Sequence, residues 1–202
     1  MIYLYSGTPG SGKSLHTARV IYYHLAMGKP VICNFDINKD KVKNSHLFVY
    51  LDNSDLDPSY LINYYIEYCS KKHKVKEGEI LLVIDECQLL FNARDWSKQG
   101  RSDWNSFFTQ HRKYKYDIIL VAQFDRMIDR QIRSLIEYEQ VHRKVSNFGW
   151  RGKLLSLMLG ATNLFCSVKV WYPMKEKVSS ELFRANKKYY SLYNTYNTFK
   201  AD

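Results

Sequence analysis

This chain predicts an α/β fold on a central parallel sheet, and three stretches carry the prediction. An apolar strand, Ile2 to Tyr5, runs into Gly7-Thr8-Pro9-Gly10-Ser11-Gly12-Lys13-Ser14, and a helical rhythm starts at once. A second run, Ile80 to Ile84, is apolar throughout and ends in Asp85-Glu86. A third, Ile118 to Ala122, is equally apolar and ends in Gln123. Strands with no polar face are covered on both sides, as in parallel sheets. Polar residues at their C-terminal ends fall in the crevice where such sheets bind ligands.

The stretch Gly7 to Ser14 fits the phosphate-loop pattern G-x-x-x-x-G-K-[ST], with the strand before it and the helix after it that the pattern requires. Its glycines let successive N–H groups turn inward toward phosphate oxygens, and the helix start adds its positive dipole end. The fold class expected is therefore a P-loop NTPase of the additional-strand branch, with the strand ending at Gln123 between the loop strand and the Asp85 strand. The ATP-binding set is Gly7, Pro9, Gly10, Ser11, Gly12, Lys13, Ser14 and Leu15. Lys13 is expected to reach the β- and γ-phosphates, and Ser14 and Asp85 to hold Mg²⁺. Glu86 is expected to polarise the attacking water. Gln123 is either a γ-phosphate sensor that orients water or simply a cap on its strand.

In chain order, Leu15 to Met27 read as a helix stopped by Gly28 and Pro30, with His16 and His24 expected at its surface or at the core edge. Short strands are expected at Val31 to Cys33 and Leu47 to Leu51. Asp57-Pro58 is a helix start, the carboxylate as cap and the proline at the first position, and that helix should run to about Lys72. After Phe91 to Trp96, Ser102 is the expected cap of a helix buried through Trp104, Phe107, Phe108 and His111. Residues 125–136 read as one short helix with Arg126, Arg130 and Arg133 along a shared face. One of these, or Arg112, is the candidate arginine finger for a neighbouring subunit, with Arg130 entered as the catalytic choice. Pairing with Glu137 or Glu139 is the structural alternative.

Beyond residue 137 the pattern changes, so residues 1–137 are read as the NTPase core and 138–202 as a basic, β-rich extension packed on it. Tyr138 to Val145 and Leu164 to Tyr172 alternate like half-buried strands. The apolar patch Leu154 to Leu159 between them is expected to pack on the core rather than enter a membrane interface. The tail from Tyr189 to Phe199 is expected to wrap back over the domain.

Charge follows the same division. The net charge is +10, yet residues 142–202 alone hold 11 Lys/Arg against three acids, a net of +8. An anionic neighbour, DNA or lipid, or a merely solvated basic surface would account for it. Cys33, Cys69, Cys87 and Cys166 form no C-x-x-C pair, so neither a zinc site nor a disulfide framework is expected and a reducing compartment fits. The N-terminus opens on a core strand without a basic leader. No apolar run approaches the ~18 residues of a membrane span. The chain as given is therefore expected to be soluble on its own.

Taken together, the loop motif, Leu-Val-Ile-Asp85-Glu86-Cys87, Phe91-Asn92-x-Arg94-x-Trp96, His111-Arg112-Lys113, Asp117-Ile118-Ile119, Gln123 and Tyr193-Asn194-x-Tyr196 resemble the zonular occludens toxin (Zot) family, and within it the filamentous-phage assembly branch. The resemblance spans essentially the whole chain. It implies an ATPase at the cytoplasmic face of the bacterial inner membrane that powers assembly and extrusion of filamentous virions around single-stranded DNA. It also implies phage assembly and coat proteins as partners, and a membrane anchor that these 202 residues do not include. Lys13, Ser14, Asp85 and Glu86 match the family's site, and Gln123, Arg94 and Arg112 match its pattern without an assigned role. A homo-oligomeric ring whose subunits complete one another's sites is the expected assembly. The rival reading is a nucleotide-regulated adaptor that recruits partners without sustained hydrolysis. A small-molecule kinase ranks lower, since no acceptor pocket is legible.

Overall fold

The computed structural model describes residues 1–72, 74–94, 100–158 and 163–193, with the backbone alone at 151, 153 and 155–157. Eight strands form one sheet in the order β3-β2-β4-β5-β1-β6-β7-β8. They are β1 (Ile2–Ser6), β2 (Val31–Cys33), β3 (Phe48–Tyr50), β4 (Ile80–Ile84), β5 (Tyr116–Val121), β6 (Tyr138–Lys144), β7 (Leu164–Trp171) and β8 (Glu176–Arg184). The first six in spatial order are parallel, with Leu82 beside Ile118 and Ile2 beside Ile118. β7 and β8 then return antiparallel, with a register shift between Lys169 and Val170. β5 thus lies between β4 and β1, as the additional-strand expectation required. β6 joins β1 directly, so residues beyond 137 continue the same sheet.

The two-residue period of the strands sorts the core. Ile2, Leu4, Ile80, Leu82, Ile84, Ile118 and Leu120 face one way, against Leu61 of α2 (Pro58–Ser70) and Phe107 and Phe108 of α3 (Arg101–Gln110). Tyr5, Leu81, Val83, Ile119 and Val121 face the other, against Ile21 and Leu25 of α1 (Lys13–Ala26). All five residues of β4 are buried, each worth about 1.5–3 kcal/mol relative to exposure. That two-sided burial is why the run could be apolar throughout. The Tyr116 hydroxyl, which burial would otherwise leave unpaired, donates to the Leu61 carbonyl at 2.8 Å.

Asp57 caps α2 by accepting from the Ser59 N–H at 2.9 Å, with Pro58 at the first position. Elsewhere local expectations give way. α3 starts one residue before Ser102, from Gly100 in a left-handed conformation, so Ser102 lies inside the helix. The expected helix over 125–136 is broken into a 3-10 turn, Asp125–Met127, and a short α4, Arg130–Ser134, capped by Asp129. Between them the buried Ile128 bridges to Asn92, a tertiary contact that outweighs helical continuity. Arg126 therefore does not share a continuous helix face with Arg130 and Arg133. His16 and His24 are both buried.

Residues 154–158 of the expected apolar patch fall in α5 (Gly149–Met158), Leu159 lies outside the described residues, and the described side chains Leu154 and Met158 are exposed, so these two do not pack on the core as expected. The tail does turn back: α6 (Lys187–Tyr190) lies along α1, with the Tyr23 and Tyr189 hydroxyls 2.9 Å apart. Trp96 and residues 194–199 of the tail lie outside the described residues.

Candidate functional site

The loop of residues 7–12 leaves β1 at the crevice end of the sheet and enters α1 at Lys13. Its start is tied to β5, since the Gly7 N–H donates to the Gln123 carbonyl at 3.1 Å. Two glycines are dictated by neighbours as well as by backbone. At Gly7 (φ +139°) a Cβ would stand 2.4 Å from the His142 carbonyl oxygen. At Gly12 (φ +97°) it would stand 2.7 Å from the Phe165 ring. Strands β6 and β7 thus wall the loop from behind, leaving no room for any other residue.

Thr8, Pro9 and Gly10 form the exposed crest of the loop, while Ser11 is buried. The Ser11 hydroxyl has no hydrogen-bond partner. Leu15 is buried with Phe165 and Phe183, so its side chain serves the core and only its backbone N–H remains for a ligand. The Lys13 ammonium folds over the loop, donating to the Gly7 carbonyl at 2.6 Å and the Thr8 carbonyl at 3.3 Å. Burial pulls its pKa down, against the charges of Glu86 and Asp85, which hold it up.

Asp85 and Glu86 close β4. The Asp85 backbone is clamped by Asn34 from the end of β2: the Asp85 N–H donates to Asn34 Oδ1 at 2.7 Å and Asn34 Nδ2 donates back to the Asp85 carbonyl at 2.9 Å. Its carboxylate accepts from the Glu86 N–H and from the Tyr193 hydroxyl, each at 2.9 Å. Desolvation pushes the Asp85 carboxyl up, and these two bonds oppose that shift. Glu86 sits at φ +46°, a left-handed conformation that costs a non-glycine residue roughly 1 kcal/mol. Gln88 Nε2 donates to its carboxylate. Such strain, stored where a carboxylate leaves a strand at a ligand crevice, fixes the direction in which that carboxylate points.

The structure therefore brings Lys13, Ser14, Asp85 and Glu86 to one place, with Gln123 bonded to the loop through its backbone. Gln123's side chain is half-buried. Arg130 and Arg94 are exposed and make no ion pair among the described residues. Arg112 is engaged with Glu137 and Glu77, the structural alternative to a finger. Asn34, His142, Phe165 and Tyr193 were missed as site residues. Tyr193 had a signal, its place in the family-like tail motif. The other three reach the site only through contacts distant in sequence.

A nucleotide with its magnesium fits these residues. The buried Ser11 hydroxyl lacks a partner that a phosphate oxygen would supply. Ser14 and Asp85 offer hard oxygen donors. That is the donor set of a Mg²⁺ carried in on phosphates and kept partly hydrated.

Known proteins resemble this chain in sequence and in fold. The chain is 28% identical over 174 residues to the Gene 1 protein of Escherichia phage If1, covering 79% of this chain and 47% of that protein. It therefore spans about half the length of the curated relatives it matches. Among solved structures, the N-terminal domain of zonular occludens toxin from Neisseria meningitidis superposes with a TM-score of 0.58 at 19% identity, covering 96% of this chain and 98% of that one. The genome packaging NTPase B204 of Sulfolobus turreted icosahedral virus 2, in complex with ATP-gammaS, superposes with a TM-score of 0.54 at 12% identity, over 91% and 96% of the two chains. These likenesses identify the fold as that of the P-loop NTPases. Among the described residues no helix is long and apolar enough to cross a membrane. The sequence profile of the zonular occludens toxin (Zot) family matches residues 1–200, and the chain belongs to that family.

Proposed function

We propose that this chain is the ATP-hydrolysing part of a motor that drives assembly and extrusion of filamentous phage particles at the host inner membrane. The observation that carries the reading is the convergence of Lys13 and Ser14 from the loop with Asp85 and Glu86 from β4, on either side of β5. The phage Gene 1 relatives and the likeness to a genome packaging NTPase support the use to which hydrolysis is put.

In this reading the backbone N–H groups of Gly10 to Leu15 and the Ser11 hydroxyl cradle the phosphates, and Pro9 shapes the crest of the loop. Lys13 leaves the Gly7 and Thr8 carbonyls for the β- and γ-phosphate oxygens. Ser14 and Asp85 hold Mg²⁺, which supplies neutralisation of the charge that develops on the phosphates. Glu86, aimed by its backbone and by Gln88, accepts a proton from the attacking water. Gln123, coupled to the loop through Gly7, reports the γ-phosphate. Arg130, exposed on α4, enters the site of a neighbouring subunit in a ring. The basic surface contributed by residues 142–202 faces single-stranded DNA or anionic lipid, and coat and assembly proteins complete the machine.

Turnover tests this. Glu86→Gln should lower the ATPase rate at least about a hundredfold while leaving nucleotide binding in place. Equal rates in the two proteins would remove Glu86 as the base and favour a nucleotide-regulated adaptor. Specific activity should also rise with protein concentration, and Arg130→Ala should abolish that rise. A flat dependence would remove the finger.

A further inference from the structure

The Tyr193 hydroxyl reaches one of the two side chains expected to hold the metal. It donates to Asp85 Oδ2 at 2.9 Å. The ring is held edge-on against Phe35, with centroids 4.7 Å apart. The residue before it is anchored: Leu192 is buried, and its carbonyl accepts from the Asn38 N–H at 3.0 Å. Before that, Tyr189 meets Tyr23, Lys188 lies 3.9 Å over the Tyr22 ring, and Asn186 caps the short helix α6. The last described stretch of the chain is thus a strap pinned along α1, with its tip in the nucleotide site.

Two facts of chemistry set what this arrangement can do. Mg²⁺ binds oxygen ligands at about 2.0–2.1 Å in a near-octahedral shell that tolerates little intrusion. A phenol is neutral at physiological pH, and it is not among the oxygen donors this ion usually takes. A hydroxyl hydrogen-bonded to Asp85 Oδ2 occupies a position from which a cation would take that oxygen.

We propose that Tyr193 is a latch on the metal site. Its hydroxyl and the magnesium of a bound Mg·nucleotide compete for Asp85, so that loading the site frees residues 186–193 from the core. The proposal rests on the nucleotide reading above and deepens it, because it gives that site an output. By linkage, whatever holds the strap down weakens Mg·nucleotide binding by the same factor with which Mg·nucleotide loosens the strap. Residues 186–193 are then the part of the chain that feels the nucleotide state.

The test uses binding of a non-hydrolysable ATP analogue to the wild-type chain and to Tyr193→Phe, by calorimetry with Mg²⁺ and with EDTA. Phenylalanine keeps the ring on Phe35 and removes only the hydroxyl. With Mg²⁺ the variant should bind about tenfold more tightly, the worth of one hydrogen bond to a charged acceptor. With EDTA the two should match, which also shows that the variant folds.

Amide exchange supplies a second readout. In the wild type, protection at Asn38, Ser191 and Leu192 should fall when Mg·analogue is added. In the variant it should already be low. Equal or weaker Mg-dependent binding by the variant, or unchanged exchange in the wild type, overturns the latch and leaves the nucleotide site intact. If the wild type binds the analogue no better with Mg²⁺ than with EDTA, the metal reading of Ser14 and Asp85 falls, and the latch falls with it.

Discussion

Asn34 and Asp85 are joined by a reciprocal pair of hydrogen bonds, N–H to side-chain oxygen at 2.7 Å and side-chain amide to carbonyl at 2.9 Å. The pair staples the end of β2 to the end of β4 and replaces one rung of sheet pairing with a side chain. Asn34 also donates to Asn53 Oδ1 at 2.9 Å, so three segments meet at one amide. The geometry at Asp85 is therefore set by a residue 51 positions earlier.

Asn34→Ala should cost about 1–3 kcal/mol of stability by leaving the Asp85 backbone groups unpaired. It should also weaken Mg²⁺-dependent nucleotide binding more than metal-free binding, because the carboxylate loses its fixed origin. Chemical denaturation and calorimetry in the two buffers check both halves. A variant equally stable and equally metal-dependent would show that the staple positions nothing.

Gly12→Ala should be far worse than an alanine replacement on an exposed helix. The new Cβ meets the Phe165 ring at 2.7 Å and the backbone is held at φ +97°. Both penalties act together, so a loss of at least about 2 kcal/mol is expected. Shrinking Phe165 to Leu in the same chain should recover the steric part and not the backbone part. Melting curves of the single and double variants separate the two.

A pair of buried histidines predicts acid sensitivity. His16 Nδ1 lies 2.8 Å from His142 Nε2, and Arg19 approaches the far nitrogen of His16 at 3.2 Å. Tyr5 and Phe183 pack on the pair, and Glu181 is held by Arg19 at the edge. Burial, with His142 and Arg19 adding to it, pulls His16 from 6.5 to about 3. Burial, with Lys13 and Arg19 adding, pulls His142 from 6.5 to about 4.

Both folded-state values lie below the unfolded ones, so the unfolded chain takes up more protons on acidification. This contribution to stability is full above about pH 6.5 and is lost as pH falls toward 4. Within the window the slope should reach about 1–2 kcal/mol per pH unit. Melting between pH 7 and 5 should show it, and His142→Gln, which takes no proton, should flatten the curve. Parallel curves would place the acid sensitivity elsewhere.

What could be read from the sequence was local. β1, β4 and β5 announced themselves because burial on both faces demands unbroken apolar runs, and the loop pattern is contiguous. β8 gave no such sign: of its nine residues only Phe183 is buried, so the strand carries no alternation to detect. The single helix expected over 125–136 failed because Ile128 is claimed by Asn92, a partner 36 positions away. Of the site, the residues that act on phosphate were legible and the residues that hold them were not. His142, Phe165 and Asn34 have ordinary identities, and only the folded chain puts them beside Gly7, Gly12 and Asp85.

The position of β1 has a consequence for how the protein comes into being. It comes first of the eight strands in chain order, yet its two neighbours in the sheet are β5 and β6, more than a hundred residues later. The back wall of its loop arrives later still, with Phe165. During synthesis the phosphate loop must therefore wait, unsupported, while the middle of the chain assembles, and long-range closures of this kind are slow. A growing chain that has not reached Phe165 lacks the ring that lies behind Gly12. Closure of the loop's back wall is thus deferred until translation has delivered Phe165.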